Sequence, residues 1–110
     1  MLPSTQLLLR FGDLTIDLER YQVLLGGEPV MLPYRDYALL VYLATRPGQP
    51  VPKRRLLEEG LGRHDPGGLR TVDERIRYLK HTLERGGRSF IEPVGEGAYR
   101  FALSPPVTPN

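Results

Sequence analysis

The stretch Arg70 to Leu83, RTVDERIRYLKHTL, constrains this chain more than any other. Val72, Ile76, Leu79 and Leu83 recur at spacings of four, three and four, which places them on one stripe of a helix at the 3.6-residue period. That stripe must face a core. Left over are Arg70, Asp73, Glu74, Arg75, Arg77, Tyr78, Lys80 and His81, a mixture of phosphate binders, acceptors and one aromatic that a merely solvated face seldom gathers. Thr71 followed by Glu74 fits a capping box, in which the hydroxyl accepts from an early helix N–H and the carboxylate accepts from the cap's own N–H. The helix is therefore expected to start there, with Arg70 just before the cap, where free N–H groups and the dipole favour an anion. Asp73 and Glu74 would repel phosphate and are read as caps or base-edge acceptors.

At 110 residues the chain has the size of one ordinary domain, able to bury a single core without disulfides or metals. It has no cysteine, which removes disulfide frameworks, thiol nucleophiles and cysteine-ligated zinc together. No apolar run approaches the roughly 18 residues of a membrane span and no signal-peptide pattern opens the chain, so a soluble cytoplasmic protein is expected. The net charge of +2 says little by itself, but its distribution is uneven. Residues 1–45 hold three Arg against five acids, and residues 46–110 hold twelve Lys or Arg against eight. The base-rich half contains the charged helix. Arg outnumbers Lys thirteen to two, which suits bidentate contacts with phosphate and guanine; a GC-rich coding sequence would give the same bias.

In chain order, Met1–Gln6 reads as a loose end. Leu7–Phe11, Leu14–Leu18, Tyr21–Leu25 and Pro29–Leu32 are short alternating or apolar runs separated by Gly12-Asp13, Glu19-Arg20 and Gly26-Gly27-Glu28, which predicts a four-stranded antiparallel sheet. Ile16 and Leu18 alternate with Asp17 and Glu19, so one face should be wet; the sheet either braces the helices or offers a docking face. Pro33 opens a helix with Arg35 and Asp36 in its first turn and Tyr37, Leu39, Leu40, Leu43 and Ala44 as its core side. Arg46-Pro47-Gly48-Gln49-Pro50 ends it.

A second short helix is expected from Lys53 to Gly60, with Leu56 and Leu57 as core contacts. Its basic first turn, Lys53, Arg54 and Arg55, opposes the helix dipole, which a nearby phosphate would relieve; a solvated basic turn is the plainer reading. Gly60–Leu69 is a loop by composition, open to a protein partner. His64-Asp65 nominates no metal or catalytic site, because further ligands or a nucleophile are missing. Phe90–Val94 and Tyr99–Leu103, joined by Gly95–Ala98, predict a closing hairpin, and Ser104–Asn110 a mobile tail. Residues 7–103 thus form the expected domain, of the α+β class.

This order resembles the winged helix-turn-helix effector domain of OmpR/PhoB response regulators. The residues carrying the resemblance are Phe11-Gly12-Asp13-Leu14 with Asp17, Leu32 with Asp36 and Leu39-Leu40, Pro47-Gly48 with Val51 and Leu56-Leu57, then Arg70-Thr71-Val72-Asp73 with Ile76, Leu79 and Leu83, and finally Tyr99-Arg100-Phe101. The resemblance implies a bacterial transcription regulator of a two-component phosphorelay system, whose third helix enters the DNA major groove while the hairpin wing reaches a minor groove. It places Arg70, Arg75, Arg77, Tyr78 and Lys80 at or near double-stranded DNA, with Arg75 and Tyr78 expected on base edges and Arg70, Arg77 and Lys80 on phosphates. Thr71, Glu74, His81, Lys53, Arg54 and Tyr99 complete the candidate DNA-binding set.

The resemblance further implies a tandem homodimer on direct repeats, polymerase contact through Gly60–Leu69, and association with the nucleoid when bound. Gly95 stands where the family usually has a wing Arg, Ala98 where it has Gly, Leu61 where Trp is common, Pro33 and Pro52 at cap positions, and Tyr78 where a basic residue is frequent. These departures predict weaker or narrower DNA binding. Members normally carry an N-terminal receiver domain, which Met1–Gln6 cannot hold, so the chain reads as either an excised effector or a stand-alone regulator. A winged-helix adaptor that binds protein is the alternative function. An enzyme is not expected, and neither metal nor cofactor is.

Overall fold

The computed structural model describes residues 7–62 and 67–102. The expected loose end, the His64-Asp65 pair and the C-terminal tail lie outside the described residues. The chain divides into two compact units, the first holding the strands up to Met31 and the second beginning at Leu32.

The first unit is a four-stranded antiparallel meander, β1 (Leu8–Phe11), β2 (Leu14–Asp17), β3 (Gln22–Leu25) and β4 (Glu28–Val30), in the spatial order β1-β2-β3-β4. Register is set by pairs such as Leu9 with Ile16 and Ile16 with Val23. Leu14, Ile16 and Val23 are buried, as a period of two requires. Asp17 departs from the expected wet face, being only 8 % exposed. Its Oδ1 accepts the backbone N–H groups of Glu19 and Arg20 at 3.1 and 3.0 Å, and its Oδ2 takes the Arg20 guanidinium at 3.1 Å, so the carboxylate folds back to shape the β2–β3 turn. The N–H of Arg20 above all holds this carboxyl below its ordinary value.

In the second unit α1 (Tyr34–Ala44) follows Pro33, which serves as N-cap, and buries Asp36, Tyr37, Leu39, Leu40, Leu43 and Ala44. Val51–Pro52 form a short strand, β5, that the sequence reading did not foresee, because two residues are too few to show a period. They pair with Tyr99 and Ala98, so the closing hairpin, β6 (Ile91–Val94) and β7 (Ala98–Phe101), belongs to a three-stranded sheet ordered β5-β7-β6.

Between these lie α2 (Lys53–Arg55), which runs on into a π-helical segment (Leu56–Gly62), and α3 (Gly68–Leu83). A Cβ at Gly60 would lie 3.1 Å from Leu39 Cδ2, so the absent side chain is what lets this segment approach α1. The core joins Leu39, Leu40 and Leu43 to Val51, Leu56, Val72, Ile76, Leu79, Leu83, Ile91 and Phe101, each at most 1 % exposed. The apolar seam read from the sequence is the buried side of α3.

The start of α3 differs from expectation. The helix begins at Gly68 behind an N-cap at Gly67, with no side-chain cap bond, and Thr71 and Glu74 lie within it. Gly68 adopts φ +62°, a left-handed conformation that glycine takes without the steric penalty of a Cβ, and it turns the chain into the helix one turn earlier than the Thr71 signal implied. Arg70 consequently sits in the first turn of the helix.

Candidate nucleic-acid interface

Three polar junctions tie α3 to its surroundings within the second unit. The first reaches α1, where the Arg75 guanidinium donates to Asp36 Oδ1 at 3.1 Å. Asp36 is wholly buried and Arg75 is 30 % exposed at its side chain. Asp36 Oδ2 has no hydrogen-bond partner among the described residues. Burial pushes the Asp36 carboxyl above its ordinary value, against the pull of the Arg75 charge. The Arg75 guanidinium, by its charge and its hydrogen bond, is what favours the ionised form.

The second junction reaches α2 and the wing. Lys53 Nζ lies 2.9 Å from Asp73 Oδ1 and the Tyr99 hydroxyl donates to the same oxygen at 2.7 Å. Desolvation pushes Asp73 up, but the hydrogen bonds from Tyr99 and Lys53, with the charges of Lys53 and Arg77, outweigh it and hold the carboxyl below its usual range. Desolvation and the Asp73 carboxylate push the Tyr99 phenol up to about 12, so it stays a donor at neutral pH.

The third junction closes the far end of α3. Lys80 Nζ donates to Glu84 Oε1 at 2.8 Å and to the Ile91 carbonyl at 2.6 Å. Glu84 Oε2 accepts the backbone N–H groups of Phe90 and Ile91 at 2.7 and 2.8 Å. One carboxylate thus satisfies the donors at the entry to β6 and fixes the lysine that spans the gap.

With these groups engaged, the exposed side of α3 is sharply defined. Arg70, Glu74, Arg77, Tyr78 and His81 are exposed, and at about 100° per residue they share one arc opposite the apolar seam. Asp73 and Lys80 fall on the flank toward the wing and Arg75 on the flank toward α1. Among the described residues, Arg70, Arg77 and His81 make no ion pair or hydrogen bond. Tyr78 is 44 % exposed, with the Arg75 guanidinium 5.5 Å from its ring centroid. Beside this arc, a groove of about 390 Å³ is lined by Lys53, Asp73, Arg77, Lys80, Pro93 and Tyr99.

The eleven candidate residues therefore separate. Arg70, Glu74, Arg77, Tyr78 and His81 stand together on the open arc, Thr71 is half-buried beside them, and Arg54 is exposed on α2 with Glu58 4.0 Å away. Arg75, Lys80, Lys53 and Tyr99 are tied into the junctions. The sequence reading assigned no junction to Asp36, Asp73 or Glu84. A signal for the first was present: Asp36 falls on the stripe of Leu40 and Leu43, and Arg75 on that of Val72 and Leu79, so opposite charges border two apolar seams.

A helical unit with a three-stranded wing and an open third helix is a winged helix-turn-helix. Residues 27–101 match the family model described as "Transcriptional regulatory protein, C terminal", and the chain belongs to that family. It is 34% identical over 104 residues to the transcriptional regulatory protein SrrA of Staphylococcus aureus, covering 92% of this chain and 43% of that protein. The chain thus spans less than half the length of the curated relatives it matches.

Among solved structures, the response regulator DrrB of Thermotoga maritima, an OmpR/PhoB homolog, superposes with a TM-score of 0.79 at 31% identity, over 87% of this chain and 44% of that one. The DNA-binding domain of Klebsiella pneumoniae RstA, crystallised in complex with the RstA box, gives a TM-score of 0.75 at 37% identity, over 86% and 96%. The resemblance to OmpR/PhoB effector domains is thereby established across nearly the whole chain.

Proposed function

We propose that this chain is the DNA-binding effector of a transcription regulator and reads a specific duplex sequence with α3 in the major groove. The observation that carries this reading is the division of labour on α3: three junctions hold the helix while Arg70, Glu74, Arg77, Tyr78 and His81 are left on one open arc. A major groove admits one helix, and a fixed helix with a free polar face is what base readout requires. Arg70 and Arg77, with Arg54 from α2, take phosphates; Glu74, Tyr78 and His81 face base edges. Arg75, Lys80, Lys53 and Tyr99 hold the helix at its angle. The RstA domain crystallised with its DNA box supports the DNA-binding reading.

Selection of bound sequences from a random duplex pool at roughly physiological salt tests the proposal. Enrichment of a half-site is expected, repeated near one helical turn where the chain pairs in tandem, with affinity falling at a log–log salt slope of about −0.9 per phosphate contacted. Absence of any enriched sequence refutes the reading. Tandem pairing, polymerase contact through Gly60–Leu69, and a cytoplasmic location on the nucleoid are proposed on the family resemblance. So is a binding role without catalysis.

The second reading, a protein-binding adaptor, is favoured by Glu74 in the middle of the open arc and by Glu96, exposed at the wing turn beside Gly95. It requires that Arg70→Ala and Arg77→Ala leave retention on DNA unchanged while abolishing capture of a protein partner.

A further inference from the structure

We propose that Tyr78 recognises the C5-methyl group of a thymine in the target duplex, and that Asp36 and Arg75 are positioning residues that hold its ring for that contact. The inference rests on the DNA-binding reading above and assigns the specificity of one step within it.

Arg75 is not free to read a base. Its guanidinium is the hydrogen-bond partner of a carboxylate that is wholly buried and whose second oxygen has none among the described residues. Swinging Arg75 outward to a guanine would forfeit that pair and force the buried carboxylate to take a proton or stand uncompensated away from water, a cost that holds Arg75 in place. Arg75 therefore stays on the flank toward α1. There its guanidinium lies 5.5 Å from the centroid of the Tyr78 ring, within cation–π range. The buried anchor thus fixes the cation, and the cation fixes one side of the ring.

The rest of the ring is open. Tyr78 is 44 % exposed and is the aromatic of the arc formed by Arg70, Glu74, Arg77 and His81. Among the base edges in a major groove, guanine, adenine and cytosine offer hydrogen-bonding groups, whereas thymine adds a methyl group. An aromatic ring held in place at the edge of a reading helix has that methyl as its apolar complement. His81 and Glu74 flank the ring at one-turn spacing and supply polar contacts to the neighbouring pairs.

The test uses the full chain and the duplex that emerges from selection. Each thymine of the site is replaced singly by deoxyuridine, which removes the methyl and nothing else, and affinities are measured by fluorescence anisotropy. At one position per half-site the wild-type chain is expected to lose about fourfold, the worth of about 0.8 kcal/mol for one buried methyl. Tyr78→Ala should abolish that discrimination and Tyr78→Phe should retain it. Arg75→Lys keeps a cation for Asp36 but lacks the planar guanidinium, and should bring the thymine-to-deoxyuridine ratio toward one. Discrimination that survives Tyr78→Ala, or a ratio near one at every position in the wild type, overturns the thymine contact; a ratio untouched by Arg75→Lys overturns the positioning. A chain that binds no duplex overturns the DNA-binding reading as well, whereas binding without methyl sensitivity overturns this inference alone.

Discussion

Replacing Arg75 with Ala should destabilise the chain more than truncating any residue of the open arc of α3. Asp36 is wholly buried, its Oδ1 has the Arg75 guanidinium at 3.1 Å, and its Oδ2 has no partner among the described residues, so the variant leaves a carboxylate stranded. A pair at this separation attracts by roughly 5 kcal/mol at an effective dielectric of about 20, and breaking buried pairs costs about 3–5 kcal/mol. Because the Arg75 side chain is 30 % exposed, water weakens the pair, and a loss of about 3 kcal/mol is expected. A chain of this length has roughly 5–15 kcal/mol in all.

The stranded group can escape by taking a proton, which sets the pH dependence. Burial already raises the Asp36 pKa, and without the guanidinium it rises further. Between the ordinary value of 3.8 and the raised one, the folded state binds more protons than the unfolded state. Stability therefore falls as pH rises through that window, at up to about 1.4 kcal/mol per pH unit. Urea denaturation followed by far-ultraviolet circular dichroism, carried from neutral pH down toward the ordinary 3.8, should show the deficit of Arg75→Ala shrinking toward acid pH. The double replacement Asp36→Leu with Arg75→Leu should recover most of the loss, since apolar residues of similar volume often substitute for a buried pair without penalty. A deficit under about 1 kcal/mol at neutral pH, or one that does not shrink in acid, would refute the reasoning.

Glu84→Ala removes the acceptor of two backbone N–H groups at the entry to β6 and should cost about 2–3 kcal/mol; hydrogen exchange at the Phe90 and Ile91 amides should accelerate, and unchanged protection would contradict this role. Tyr99→Phe deletes one hydrogen bond to Asp73, worth about 1 kcal/mol, and spectrophotometric titration of the wild type should find the Tyr99 phenol ionising only near 12. Asp73 has a depressed pKa, so its contribution to stability is complete above 3.8 and disappears as pH falls below that value; Asp73→Asn should flatten the acid limb of the urea midpoint against pH. Arg77→Ala should weaken binding to all duplexes alike and lower the salt slope by about 0.9, whereas a change confined to one base position would assign Arg77 to readout.

The periodic features were legible because each reports on its own segment. Val72, Ile76, Leu79 and Leu83 announce the buried side of α3 without knowledge of what covers it, and the alternation around Ile16 and the glycine turns announce the meander. Local signals misled where a neighbouring residue offered a cheaper solution: Thr71 and Glu74 form a sound capping pattern, but Gly68 turns the chain into the helix a turn sooner. Asp17 was expected in water because strands alternate, yet the turn it shapes draws it back to Arg20.

The candidate interface was legible as a set of residue types and not as an arrangement. The sequence by itself determined that α3 carries an apolar seam and an excess of groups suited to DNA, since both follow from spacing and side-chain chemistry along one segment. Only tertiary structure decided which of those groups are free. Asp36 lies 39 residues from Arg75, Asp73 lies 26 from Tyr99, and Ile91 lies 11 from Lys80. Each pairing exists because packing brings two segments together, and such proximity leaves no periodic trace in either one. Burial then makes the Asp36–Arg75 pairing binding on its members, because a charge taken out of water needs its partner, while the residues left on the open arc remain available to a ligand.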